Sequence, residues 1–372
     1  MADRKKRILF FHFDLQGGGA EKVLINLLNH LDPEKYDITL QTIFGAGPNV
    51  KDIPSHVRFK YLFKHVFRGF NTIMKLFSPG LLHRLLIRDK YDIEVGYMEN
   101  SPTRIVSGCP SKDTKKIVWV HVEIEHPQTF LAGYRNKKEF LSCYHKVDGI
   151  AFVAKTALES FEHHYPEITT PKMVVYNVND YERIRRLAEE EIPFSLDKGV
   201  VNLCSVGRLC SQKRFDRLIR IVARLKKAGI ATHLYILGEG GDRNSLEQLI
   251  EQLSLKNDVT LLGYDSNPYK YVSKMDLFVC SSIKEGYSTA VTEAVSLGVP
   301  VVTTECSGMR EILQDGRFGV IVPNDEDALY DGLEGLLKKP EQIAAYRTAI
   351  QQSDAFSTDS LVAKYEELFD SL

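Results

Sequence analysis

A chain of 372 residues exceeds what one hydrophobic core usually supports, so two domains are expected. Its 44% hydrophobic and 26% charged content suits a globular protein, and a formal net charge of -1 argues against nucleic acid as the main partner. Six cysteines without a C-x-x-C pair read as reduced thiols, and neither a signal peptide nor an apolar run of about 18 residues is seen, so a cytoplasmic protein without a membrane span is expected.

In chain order, β-rich runs alternate with helical patterns: Ile8–Phe13, Ile38–Phe44, Val57–Leu62, Asp92–Met98, Ile117–Val122, Gly149–Ala154 and Met173–Tyr176. Such alternation predicts βαβ units around a mostly parallel sheet, a Rossmann-like half. The first run ends in Gln16-Gly17-Gly18-Gly19-Ala20-Glu21 before a helical pattern over Lys22–Leu31. Glycines there let backbone approach a ligand, but Glu21 and Lys22 break the G-x-G-x-x-G pattern and speak against NAD. Between Arg58 and Lys90, aromatic and aliphatic residues interleave with eight basic residues and one acid, for a local charge of +7. That composition suits an anionic lipid surface, or else an ordinary helical face with snorkelling Lys and Arg. His121 closes the strand Ile117–Val122, where a titratable group at the carboxyl end of a strand can reach a ligand. Glu123 and His126 are nearby alternatives.

A charged stretch, 179–198, reads as the connection between domains, with one helix. A second alternating series follows: Val200–Val206, His233–Leu237, Val259–Leu262, Asp276–Cys280, Val299–Thr303 and Gly319–Val322. Its first strand-to-helix turn carries Val206-Gly207-Arg208-Leu209 and then Lys213, two cations five residues apart that can clamp a diphosphate. Gly238-Glu239-Gly240-Gly241 reads as a tight turn with Asp242 as the cap of the next helix, and Asp325-Glu326-Asp327 as a helix cap rather than a metal motif. No catalytic metal is expected.

The stretch Ser281–Gly298 carries Glu285 and Glu293 with seven residues between them. A helix opening near Ser288 would point free amides at an anion, while Glu293 further along would reach hydroxyls. A molecule with both phosphate and polyol fits that spacing.

Together these segments resemble glycosyltransferase family 4, the retaining GT-B enzymes, over essentially the whole chain, and are particularly similar to bacterial enzymes building capsular, exopolysaccharide or lipopolysaccharide chains. The resemblance implies an α/β GT-B fold: two Rossmann-like domains with parallel sheets facing a central cleft. An acceptor domain would cover 1–178, with the final helix 357–372 crossing back onto it, and a donor domain would cover 179–356. Arg208 and Lys213 would hold the donor diphosphate, Glu293 the ribose, and Glu285 the donor sugar. Gly286, Tyr287, Ser288 and Thr289 would offer amides, Gly17, Gly18 and Gly19 would approach the diphosphate or acceptor, and His121 would orient the sugar. Tyr287-Ser288 replaces the Phe then Gly or Pro of many relatives, so sugar choice does not carry over. Implied further are a UDP-sugar donor, no cofactor or metal, a glycan or lipid-linked acceptor, and a cytoplasmic site at the inner face of the cell membrane. A GT-B sugar-nucleotide epimerase and a non-catalytic nucleotide-sugar-binding protein are the alternatives.

Overall fold

A computed structural model describes residues 4–16, 18–67, 69–124 and 126–372. The chain forms two compact units, Met1–Asn179 with Thr358–Leu372, and Asp180–Ser357. The divisions fall one residue later than the sequence boundaries, because Asp180 caps the helix Tyr181–Ala188 by accepting from Arg183 N–H at 2.9 Å and so travels with the second unit.

Among the described residues the first unit is built on seven strands: β1 (Lys6–His12), β2 (Tyr36–Phe44), β3 (Arg58–Phe63), β4 (Ile93–Gly96), β5 (Lys115–Val120), β6 (Gly149–Phe152) and β7 (Lys172–Val174). Every pairing is parallel, in the order β3-β2-β1-β4-β5-β6-β7. A parallel sheet covered on both faces needs strands that are apolar throughout, and Ile8, Leu9, Phe10 and Phe11 of β1 are all fully buried. The terminal helix Thr358–Asp370 closes one face: Tyr365 stacks on Trp119 at 5.7 Å, Phe369 meets Phe10 edge-on, and Lys6 Nζ donates to Phe369 O at 2.7 Å. These aromatic contacts explain why a segment so distant in sequence belongs to the first unit.

The second unit has six strands, β8 (Val201–Val206), β9 (Thr232–Leu237), β10 (Val259–Gly263), β11 (Leu277–Cys280), β12 (Val301–Thr304) and β13 (Gly319–Val322), all parallel and ordered β10-β9-β8-β11-β12-β13. Two apolar clusters occupy its faces, one around Ile219, Ile236 and Leu329 and the other around Phe278, Val295 and Leu313. The chain order reverses between β8 and β11, as it does between β1 and β4 in the first unit. Loops leaving adjacent strands in opposite directions open a crevice at the carboxyl ends, where open α/β sheets take ligands.

Candidate active site

In the second unit the crevice lies between loop 207–214 after β8 and loop 281–288 after β11. The loops are laced together: Ile283 N–H donates to Gln212 O at 2.9 Å, and the Gln212 amide donates to Lys284 O at 2.8 Å. The Ser281 hydroxyl reaches the carbonyls of Lys213 and Arg214 at 2.7 and 3.1 Å. Asn324 holds the far side, donating to Ile283 O at 3.0 Å while accepting from Arg217 at 3.0 Å. On this frame Lys213 Nζ lies 2.6 Å from Glu285 Oε1, and the Ser282 hydroxyl donates to the same oxygen at 2.6 Å. The side chains are only 20% and 10% exposed, too dry for either charge alone. Burial by itself would lower the Lys213 pKa; the adjacent Glu285 carboxylate outweighs it and holds the ammonium above its ordinary value.

Beside this pair the helix Thr289–Ser296 begins. Ser288 occupies the N-cap position with its side chain making no cap bond, so the first-turn amides are not taken up by a side-chain cap and carry the positive end of the helix dipole. Gly308, at φ +77, allows the turn to sit this closely, since a Cβ there would be 2.9 Å from the Tyr287 ring and 3.1 Å from Gly286 O. Glu293, on the same helix, is buried and accepts from the Tyr269 hydroxyl at 3.2 Å. Arg208 is exposed and makes no ion pair among the described residues. Its loop is pressed against Gly238 (φ +141), where a Cβ would meet Gly207 O at 1.9 Å. A cation, helix amides free of a side-chain cap and a carboxylate further along the same helix are the kinds of group that an anionic ligand bearing hydroxyls takes.

In the first unit His121 follows β5. It is buried, its N–H donates to Glu99 Oε2 at 3.2 Å, and its ring lies 4.9 Å from Tyr97, which stacks on Trp119. At the end of β1, His12 Nδ1 sits 2.6 Å from Asp14 O, an arrangement that puts the proton on Nδ1. The Nε2 atoms of both histidines are buried without a hydrogen-bond partner. Burial first, and then the proximity of His12, pushes the His121 pKa down to about 3; burial pushes His12 down to about 4 against the opposing pull of Asp14. Both imidazoles are therefore neutral near pH 7.

A pH dependence follows. Each ring binds a proton more weakly folded than unfolded, so the stability due to its neutral state is complete above the ordinary value of 6.5 and is lost as pH falls toward 4 and 3. His121→Asn is expected to flatten the acid-side slope of the urea midpoint between pH 6.5 and 4. Equal slopes in variant and wild type would show that His121 is not the titrating group.

Several sequence expectations change in detail. Lys213 and Glu285, given separate tasks on the donor, are partners in one ion pair, because each needs the other's charge once buried. Asp242 stands at the start of the helix Arg243–Gln252 but makes no side-chain cap bond; Ser245 Oγ donates to its carbonyl instead. Asp325 does cap its helix, accepting from Ala328 N–H at 2.8 Å, and all six cysteines are free. Gly17 lies outside the described residues. Gly18 and Gly19 open the helix Gly19–His30, where the Glu21 carboxylate occupies the space a Gly18 side chain would need and already opposes the helix dipole. Ser282, Tyr269, Asn324 and His12 were missed: a lone hydroxyl, amide or imidazole at or just past a strand end, or at the start of a one-turn helix as Tyr269 is, carries no spacing signal.

Comparison with known proteins agrees with this geometry. Residues 189–353 match the family Glycosyl transferases group 1. Over 350 residues the chain is 37% identical to N-acetylgalactosamine-N,N'-diacetylbacillosaminyl-diphospho-undecaprenol 4-alpha-N-acetylgalactosaminyltransferase of Campylobacter jejuni, covering 92% of this chain and 93% of that one. The fold is similar to that of HepE from Anabaena, crystallised with UDP (TM-score 0.74, 18% identity, 98% of this chain and 100% of that one). It is similar as well to sucrose-phosphate synthase from Thermosynechococcus elongatus (TM-score 0.75, 14% identity, 99% of each chain). With similarity running through nearly the full length of the Campylobacter enzyme and two Rossmann-like units of GT-B type, this chain belongs to the group 1 glycosyl transferases.

Proposed function

We propose that the chain is a retaining family 4 glycosyltransferase that moves a sugar from a UDP-sugar to a hydroxyl of a lipid-linked glycan, without a metal, in cell-surface polysaccharide synthesis. The observation that carries the proposal is the Lys213–Glu285 pair beside the uncapped start of the helix Thr289–Ser296, with Glu293 on that same helix. Lys213 and Arg208 neutralise the donor diphosphate, the amides from Gly286 to Thr289 complete its cradle, and Glu293 accepts hydrogen bonds from the ribose. Glu285 holds Lys213 and contacts the donor sugar. On the first unit, neutral His121 carries a buried Nε2 without a hydrogen-bond partner, a group able to bond a hydroxyl, and Gly18 and Gly19 open the helix Gly19–His30.

In the reaction the bond from the anomeric carbon to the diphosphate oxygen breaks, leaving positive charge on the sugar and negative charge on the departing nucleotide. The acceptor oxygen attacks from the leaving-group face, forming the new glycosidic bond, and its proton passes to a diphosphate oxygen. No protein nucleophile is needed. Stabilising the leaving diphosphate is the main electrostatic lever, and Lys213 with the helix amides supplies it. The Campylobacter relative's name places its acceptor on diphospho-undecaprenol, and the Anabaena structure contains UDP, which supports the acceptor and nucleotide chosen here.

The proposal is tested by supplying UDP-sugars with and without an undecaprenyl-diphosphate glycan and assigning the product's anomeric configuration. Transfer only with acceptor, with configuration retained and no gain from added Mg2+ or Mn2+, is expected. Conversion of donor to an epimer in the absence of acceptor, or an inverted product, would refute it.

Attachment to a membrane face is part of the same proposal. Among the described residues no helix is long and apolar enough to cross a membrane. Yet Tyr61, Phe63, Phe67, Ile73, Leu76 and Leu85 are exposed on one continuous stretch of the first unit, amid exposed Lys64, Arg84 and Arg88. Exposed apolar groups interleaved along the chain with exposed cations fit the headgroup region of an anionic bilayer. Neutralising Lys64, Arg84 and Arg88, together with Arg68, which lies outside the described residues, is expected to weaken co-sedimentation with anionic vesicles at least about tenfold. Unchanged binding would count against the attachment.

A further inference from the structure

A cluster remote from the crevice loops of the first unit has chemistry that the transfer reaction does not use. Glu94 lies in the middle of β4, itself between β1 and β5, and is only 2% exposed. Its register partner on β1 is Leu9, which packs in an apolar cluster with Leu82, Ile87 and Ile105. A carboxylate in such a place requires counter-charge.

His83 can supply it as an imidazolium, and Cys109 adds a thiol hydrogen bond, the two arriving from separate segments. His83, on the helix Pro79–Leu86, has Nε2 2.8 Å from Glu94 Oε2, and Cys109, just beyond the helix Ser101–Val106, directs its thiol to Glu94 Oε1 at 3.7 Å. All three donor atoms lie within 4.8 Å of one another. The convergence is imposed by backbone, not by chance rotamers. At Gly108 a Cβ would stand 2.1 Å from Pro79 O and 2.8 Å from Gly80 N, so only glycine lets the turn before Cys109 lie against the start of the helix carrying His83.

We propose that His83, Glu94 and Cys109 form a binding site for a zinc-class divalent ion, with solvent as the fourth ligand. Imidazole, thiolate and carboxylate are the donor types zinc takes. Ordinary bond lengths give a tetrahedral site with edges of roughly 3.3–3.7 Å, so metal entry opens the 2.8 Å His83–Glu94 contact by about half an ångström while the Cys109 sulfur closes on the same centre. Cys109 is partly exposed, which provides both the entry path and the open position for water. Zinc binding releases the thiol proton and any proton shared between His83 and Glu94, so affinity weakens as pH falls. Since the site joins a helix, a central strand and the turn after a second helix, its expected role is to stabilise the first unit rather than to act on substrate.

The experiment uses the full chain stripped by chelator and then titrated with zinc or cobalt. One equivalent of zinc should bind and raise the melting temperature, and cobalt should give a thiolate charge-transfer band in the near ultraviolet. Cys109→Ser, at a partly exposed position, and Glu94→Gln, which keeps a hydrogen-bond acceptor for His83, should each fold, lose the cobalt band or shift its position, and weaken zinc binding at least about tenfold. No stoichiometric uptake by the wild-type chain, or wild-type uptake by either variant, would overturn the site. Neither result depends on the glycosyl-transfer reading.

Discussion

Lys213→Ala is expected to lower kcat/KM for the donor by about 10²–10³-fold, the scale on which removing one group that stabilises developing negative charge usually acts. In the proposed reaction the lysine faces the departing diphosphate, and its charge is little diluted by water: it is 20% exposed and held 2.6 Å from Glu285. Losing it has two effects. The leaving group loses its cation, and Glu285 keeps only the Ser282 hydroxyl, at a stability cost of up to about 3 kcal/mol. Glu285→Gln separates the two. The amide can still accept from Ser282, so UDP binding should persist while turnover falls, whereas Lys213→Ala should weaken both. Wild-type transfer rates in folded Lys213→Ala and Glu285→Ala variants would sink the assignment of this pair to the active site.

Glu293→Ala is expected to have the next largest effect, and of a different kind. A buried carboxylate accepting from ribose hydroxyls makes charge-assisted bonds of about 1.5–3 kcal/mol, so the donor KM and the UDP Kd should each rise about 10- to 100-fold. The ribose does not change in the transfer step, so kcat should fall much less than KM rises. Glu293→Gln should lie between wild type and alanine, and Tyr269→Phe, which removes the hydroxyl donating to Glu293 at 3.2 Å, should cost less than either. A variant that loses kcat at unchanged KM would mean that Glu293 touches the reacting centre instead.

Much of this site was legible beforehand because it depends on short-range chemistry. The start of the helix near Ser288, the buried Glu293 one turn further on, and the cations after the first strand of the second unit are all set within a few residues. The Lys213–Glu285 contact was not legible, since the two are separated by 72 positions and only the adjacency of β8 and β11 joins them. His121 was visible as a polar residue ending an apolar strand. Its environment of Tyr97 and Tyr365, and the second neutral imidazole at His12, were not, because they come from the ends of two other strands, β4 and β1, and from a helix more than two hundred residues later.

The sequence alone determined two parallel sheets, their thirteen strands and the local turns that face a ligand, because hydrophobic period and turn residues act over distances of a few residues. Tertiary structure decided which of those turns meet. Strand order sets adjacency at a switch point, where burial pairs Lys213 with Glu285, and away from it burial pairs Glu94 with His83. Strand order is settled by how whole helices cover the sheet faces, a property distributed over the chain and carried by no single motif.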